Sequence, residues 1–101
     1  MKPAVEYKPF LLESLRDPAH AALFINGALE ESRTKEDMPF LLLCLRDVVK
    51  AQGGMTKVAR LAGINRENLY RILSKDGNPE FRRLTQLLSA MGLRISVSPK
   101  S

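Results

Sequence analysis

The side chains with the clearest chemical potential lie between residues 65 and 71. The segment "RENLYRILS" has helical periodicity, and at about 100° per residue its apolar positions share one face while Glu67, Tyr70 and Arg71 fall on the other. Arg suits guanine, Asn suits adenine, and Glu accepts a hydrogen bond from cytosine, so this face can read base edges in a major groove. Because the first turn of such a helix enters the groove deepest, the predicted base-reading residues are Asn65, Arg66, Glu67, Tyr70 and Arg71.

A second group of polar side chains flanks this helix and suits DNA phosphates. Thr56 and Lys57 stand at the predicted start of the preceding helix, where backbone N–H groups favour anions. The alternative for each residue is an ordinary solvated face, and Tyr70 could pack on neighbouring backbone instead of DNA. The predicted phosphate-contacting residues are Thr56, Lys57, Ser74, Lys75, Asn78, Arg82 and Arg83.

These side chains need two helices held at a steep angle, and "MTKVARLAGINRENLYRIL" has the spacing for that arrangement. The crossing point requires a small residue, which Ala59 supplies, and the tight turn requires left-handed backbone, which Gly63 adopts without penalty. Apolar side chains then close the wedge between the helices. The predicted motif core is Ala59, Gly63, Ile64, Leu69 and Ile72. The spacing indicates a helix-turn-helix.

Most of the remaining chain also has helical patterns with recognisable starts. Asp17 before Pro18 predicts a capped helix over "DPAHAALFINGALEES", and "KPFLLESL" favours a short helix before it. Asp37 or Met38 is the predicted cap of "MPFLLLCLRDVVKAQ". Thr56 and Asn65 are the predicted caps of the two motif helices. The last helix is expected to start at Asn78-Pro79, cover "PEFRRLTQLLSAM" and end at Gly92.

The C-terminal "LRISVS" alternates apolar and polar residues, which is the period of a strand. A lone strand leaves its backbone groups unpaired, so it needs a partner. We expect antiparallel pairing with a second protomer through Leu93, Ile95 and Val97; the alternatives are residues 4–8, "AVEYK", or another protein. The predicted fold is all-α, a lambda-repressor-like helix-turn-helix bundle with a short C-terminal β-strand. Its expected parts are an N-terminal helical extension (1–38), a DNA-binding domain (39–92) and a strand with tail (93–101).

Composition and charge narrow the function classes. The 101 residues carry a net charge of +5, divided into −2 over residues 1–38 and +7 over 39–101, which favours a polyanionic partner. The longest apolar run is too short to span a membrane, and the N-terminus lacks a signal-peptide pattern, so we expect a cytoplasmic protein. Cys44, the only cysteine, reads as a buried hydrophobe, and His20, the only histidine, has no ligand or catalytic partners at useful spacing. We therefore expect no enzyme activity, cofactor or metal.

The chain also resembles a known family over about residues 17 to 97. The residues that carry the resemblance are "LRDV", the "GGM" before the first motif helix, "REN-LY-R-LS", "GNPEF" and "MGLRISV", with "DPAHAALFINGALEES" upstream. They are similar to the Xre/Cro-type antitoxins known as probable addiction-module antidote proteins. Phe24-Ile25-Asn26 stands where the family more often has Tyr-Leu-Asn, and Ser32 where Gly is usual.

The resemblance implies a repressor of its own operon that neutralises a RelE-superfamily toxin, usually an mRNA-cleaving ribonuclease. Double-stranded operator DNA, the toxin and a second protomer are then the expected partners. A toxin's sheet edge becomes a further candidate partner for the C-terminal strand. The alternatives are a phage-type Cro-like regulator without a toxin, and a protein-interaction module that binds DNA only in complex.

Overall fold

The computed structural model describes residues 3–100, without the side chains of residues 3–7 and Lys35. This part of the chain contains six α-helices and a short 3-10 helix, Lys35–Asp37, before the third of them. The all-α prediction is confirmed. The helices are α1 (Pro3–Ser14), α2 (Pro18–Glu31), α3 (Met38–Ala51), α4 (Met55–Ala62), α5 (Arg66–Ile72) and α6 (Phe81–Ala90).

Helix α3 is the centre of the core. It contacts α1, α2 and α4, while α4 also packs on α5 and α6. Leu42, Leu45, Val48 and Val49 of α3 are almost completely buried. Burial of each such side chain stabilises the fold by about 1.5–3 kcal/mol. The core therefore joins the first two helices to the α4–α6 segment through α3.

Two polar contacts tie the N-terminal helices to α3. The Lys8 ammonium forms an ion pair with Asp47, which is a buried carboxylate of α3. The Gln52 amide, just after α3, donates to the carbonyl oxygens of Leu15 and Arg16 at 2.9 and 3.1 Å. These contacts fix the corner between α1 and α2 against the end of α3.

Cys44 is buried on the same helix, as its apolar surroundings predict. Burial raises the pKa of its thiol, and the nearby Asp47 carboxylate raises it further. The thiol therefore stays protonated and packs as a small hydrophobe. None of the helices in the described residues combines the length and apolar character that a membrane span requires.

Helix starts follow the predictions in part. Asp17 accepts from the Ala19 N–H at 2.9 Å and Pro18 opens α2, as expected. Asp37 occupies the position before α3, but its carboxylate accepts instead from the Arg33 and Thr34 N–H groups, and these bonds lower its pKa.

Two predicted helix starts are wrong. Thr56 is not an N-cap, because α4 already begins at Met55 after Gly54, whose φ of 97° is open chiefly to glycine. The last helix begins at Phe81 instead of the Asn78-Pro79 pair, with Glu80 before it and no side-chain cap. Both errors are shifts of a helix boundary, and neither removes a helix.

The ends of α4 and α6 share one geometry. Gly63 and Gly92 have φ of 69° and 77°, a left-handed conformation that costs glycine nothing. The next N–H returns to the helix in each case: Ile64 donates to Ala59 at 2.9 Å, and Leu93 donates to Leu88 at 2.8 Å. This is the Schellman arrangement, in which an apolar residue after the glycine covers the helix end.

The predicted C-terminal β-strand is wrong, because residues 93–100 adopt no regular structure. Leu93 is half-buried against the core, where it is the apolar residue that covers the end of α6. This contact accounts for the first apolar residue of the alternating pattern without a strand. Ile95 and Val97 are exposed, the latter by 95%. Residues 4–8, the alternative strand partner within the chain, lie within α1 and are helical.

Candidate nucleic-acid interface

The start of α5 depends on Asn65. Its side-chain oxygen accepts from the N–H groups of Glu67 and Asn68 at 2.8 and 3.3 Å, which confirms the predicted cap. A seven-residue helix is too short to be stable without such help. The base-reading role of Asn65 remains a prediction, and only its amide nitrogen is left for it.

The apolar face of α5 anchors the helix on α4 and the core. Leu69 is completely buried, and so is Leu73 just beyond the end of α5. Ala59 on α4 and Ile64 in the turn are also buried, whereas Ile72 is only half-buried. Helical geometry already groups Leu73 with Leu69, so Leu73 belongs in the motif core ahead of Ile72.

The opposite face of α5 is exposed and charged. Arg66 lies over the Tyr70 ring with its guanidinium carbon 5.2 Å from the ring centroid, and it donates to the Tyr70 hydroxyl at 3.3 Å. Cation–π contact of this kind is worth about 0.5–1 kcal/mol at an exposed site. Tyr70 thus packs on Arg66, and the pair restrains the arginine in the first turn of α5.

Asn68 is a polar residue on this helix that the sequence patterns did not single out. It is half-buried, and its side-chain oxygen accepts a hydrogen bond from the Arg71 guanidinium. Asn65, Glu67, Asn68 and Arg71 line one shallow concavity. The spacing of three residues between Asn68 and Arg71 is the available sequence signal for this contact.

Five of the seven predicted phosphate-contacting residues are exposed, and they lie at two places. Thr56 and Lys57 are exposed on the first turn of α4. The Lys57 stem crosses Gly53, where an added Cβ would lie 2.5 Å from the lysine Cδ. Lys75, Asn78 and Arg82 are exposed between α5 and the start of α6.

The other two members have side-chain partners of their own. Ser74 donates its hydroxyl to the Arg71 carbonyl oxygen at 2.8 Å. The half-buried Arg83 donates to the Gln86 side-chain oxygen at 3.2 Å. Because the Ser74 hydroxyl already donates its one hydrogen, it has none to donate to a phosphate, and Ser74 is the weakest phosphate candidate of the set.

Cations dominate this part of the surface. Between residues 53 and 83, seven Lys and Arg residues stand against three Asp and Glu, a net charge of +4. Within the part of the chain that the structure describes, the ion pairs involve residues 8–20 and Asp47, and none joins a cation of α4–α6 to a carboxylate. The positive charge is thus available to an external anion.

The comparisons with known proteins define the class of this chain. Over residues 7–99 it matches the family described as "Probable addiction module antidote protein". The chain belongs to this family, as its sequence resemblance predicts. An antidote implies a cognate toxin as its partner and a regulatory role.

Among individual proteins, a relative in Haemophilus influenzae (strain ATCC 51907 / DSM 11121 / KW20 / Rd) is 34% identical over 85 residues. The matched region covers 84% of this chain and 82% of the relative, which is described as "Uncharacterized protein". No solved structure gives a significant match.

Proposed function

We propose that this antidote is an Xre/Cro-type repressor: it binds operator DNA through α4 and α5, represses its own operon and neutralises a RelE-superfamily toxin. The observation that carries the DNA-binding part is the construction of α5. One face is locked into the core by Leu69 and Leu73, and the other exposes Arg66, Glu67, Tyr70 and Arg71. Rigid support of an exposed polar face is what major-groove reading requires.

The proposed roles differ between the two helices. Arg66 and Arg71 donate to base acceptors, and Glu67 accepts from a base amino group. Lys57, on the first turn of α4, neutralises a phosphate and sets the register without reading sequence. Lys75 and Arg82 hold the backbone beyond α5.

We also propose that the operator-bound form is a homodimer, since one such motif covers only about half of a two-fold site whose halves lie about 34 Å apart. Leu29, Leu88 and Ile95 border a cleft of about 120 Å³ between α2 and the tail. The exposed Val97 follows this cleft directly in the chain. A two-fold axis at this position would let each protomer place an apolar side chain at the other's cleft.

A footprinting experiment on the DNA upstream of the protein's own gene tests the proposal. The antidote alone is expected to protect two half-sites one helical turn apart. The Arg66→Ala protein should need a higher concentration to give this protection, while keeping its helical circular dichroism. Equal binding of the upstream DNA and a scrambled duplex would contradict the repressor role.

A second candidate is an antidote that binds DNA only in complex with its toxin. Phe40 and Leu43 support it, because they expose half of their surface beside Leu73 and form an apolar patch that suits a protein partner. Footprints with and without the co-purified toxin separate the two candidates. Protection only in the presence of the toxin favours the second.

A further inference from the structure

The corner between α1 and α2 carries a cation next to the proposed phosphate-binding end of α4. We propose that Arg16, at this corner, contacts the DNA backbone beside Lys57, so that the DNA-binding surface extends onto the otherwise acidic N-terminal segment. The inference rests on the proposed DNA binding and adds a residue outside the helix-turn-helix.

Arg16 and Lys57 line the same cleft, although 40 residues separate them in the sequence. The other cleft residues are Ala51, Gln52 and Gly53, at the end of α3. Gly53 leaves the space in which the Lys57 stem lies. Two cations from different elements thus border one concave surface, so a DNA strand lying across it can meet both.

Gln52 holds the Arg16 backbone in this position. Its amide nitrogen donates to both the Leu15 and the Arg16 carbonyl oxygens, and Leu15 itself is buried in the core. The corner is therefore fixed on both sides of Arg16. A fixed backbone lowers the entropy cost of placing a long side chain on a phosphate.

Among the side chains that the structure describes, one exposed neighbour holds Arg16. Its Nη1 donates to Glu13 at 3.1 Å, and the two side chains are 68% and 73% exposed. Pairs this exposed contribute little, because water and salt screen them. The guanidinium has five N–H donors, so a phosphate can engage the remaining ones or displace Glu13.

This arrangement predicts opposite effects for the two partners. Removal of Arg16 should weaken DNA binding, whereas neutralisation of Glu13 should strengthen it by releasing the arginine and removing a repelling charge. Arg16→Lys should preserve the contribution to the salt slope, since neutralising a phosphate requires only the positive charge. A purely structural role for Arg16 would not give this pattern.

The test is fluorescence anisotropy of the full chain on a mixed-sequence duplex of about 20 base pairs, titrated between about 50 and about 200 mM salt. Arg16→Ala is expected to lower the magnitude of the log–log salt slope by about 0.9 and the affinity at 0.1 M salt by about 5–10-fold. Arg16→Lys should match the wild type in salt slope, and Glu13→Gln should bind more tightly. Arg33→Ala, which removes an exposed arginine at the far end of α2, is the matched control and should change neither quantity.

Gln52→Met tests the positioning step. As a single substitution it should lower the magnitude of the salt slope. Added to Arg16→Ala, it should have no further effect. Circular dichroism of each variant confirms that the helices are intact.

The outcomes separate this inference from the function on which it rests. If Lys57→Ala lowers the slope and Arg16→Ala behaves like Arg33→Ala, the role of Arg16 is refuted while DNA binding stands. If the wild type alone does not bind the duplex even at the lowest salt, both the role of Arg16 and DNA binding by the free antidote are refuted.

Discussion

Two turns with the same geometry lead to different structures. Gly63 and Gly92 both end a helix in left-handed backbone, and both are followed by an apolar residue that covers the helix end. After the first turn the chain starts α5, and after the second it continues without regular structure. The position after the apolar residue is Asn65 in one case and Arg94 in the other.

The Asn65 side chain accepts hydrogen bonds from two backbone N–H groups and so starts a helix. Arg94 has no acceptor in its side chain. The residues beyond differ in the same sense. Leu69 and Leu73 return to the core one turn apart, while Ile95 and Val97 remain exposed. A tight turn therefore ends a helix, but the cap and the spacing of the later apolar residues decide whether a new helix begins.

The largest difference in the free energy of unfolding should come from substituting the apolar residues that follow the two turns. Leu69→Ala removes a completely buried side chain and should lower the free energy of unfolding by about 2–5 kcal/mol. Val97→Ala should change it by less than about 0.5 kcal/mol, because Val97 is 95% exposed. Urea unfolding followed by circular dichroism measures both values. Equal losses would show that the tail packs as firmly as α5.

The next effect concerns the cap. Asn65→Ala should lower the free energy of unfolding by about 0.5–2 kcal/mol, because the Glu67 and Asn68 N–H groups lose their acceptor. Asn65→Asp, which keeps an acceptor oxygen, is the control and should remain close to the wild type in thermal unfolding. An equal loss in both variants would refute the capping role.

Substitution of the two glycines should have similar effects on the free energy of unfolding and different effects on DNA binding. Gly63→Ala and Gly92→Ala each force an alanine into left-handed backbone, at about 1–2 kcal/mol. An added Cβ meets no atom closer than 3.9 Å at either site, so strain is the only cost. Gly63→Ala should also weaken DNA binding, since it disturbs the orientation of α5. If Gly92→Ala weakens DNA binding equally, the tail belongs to the interface.

The local features of the two turns explain which parts of the fold could be predicted. The Asp17 and Asn65 caps depend on short-range contacts and are visible in the sequence. The prediction of a C-terminal strand was wrong because three apolar residues at alternate positions also fit a helix cap followed by exposed chain. The sequence pattern did not reveal that residues 4–8 lie in helix α1 and so offer no strand edge within the chain.

For the candidate site, the sequence predicts the local features and not the tertiary ones. Periodicity separates the buried and exposed faces of α5 and ranks Leu73 with Leu69. Arg16 has no such signal, because its approach to Lys57 depends on how α1 and α2 pack on the end of α3. Tertiary packing of this kind brings together residues that sequence spacing keeps apart.

We propose that the face of α5 reads bases while the first turn of α4 contacts phosphates. The most direct test compares Arg66→Ala and Lys57→Ala on a set of single-base variants of the protected DNA, at several salt concentrations. Arg66→Ala should cost about 1–3 kcal/mol and relax the preference at one position. Lys57→Ala should weaken every sequence alike and reduce the salt slope by about one unit. Identical specificity profiles for the two variants would contradict the assignment of these roles.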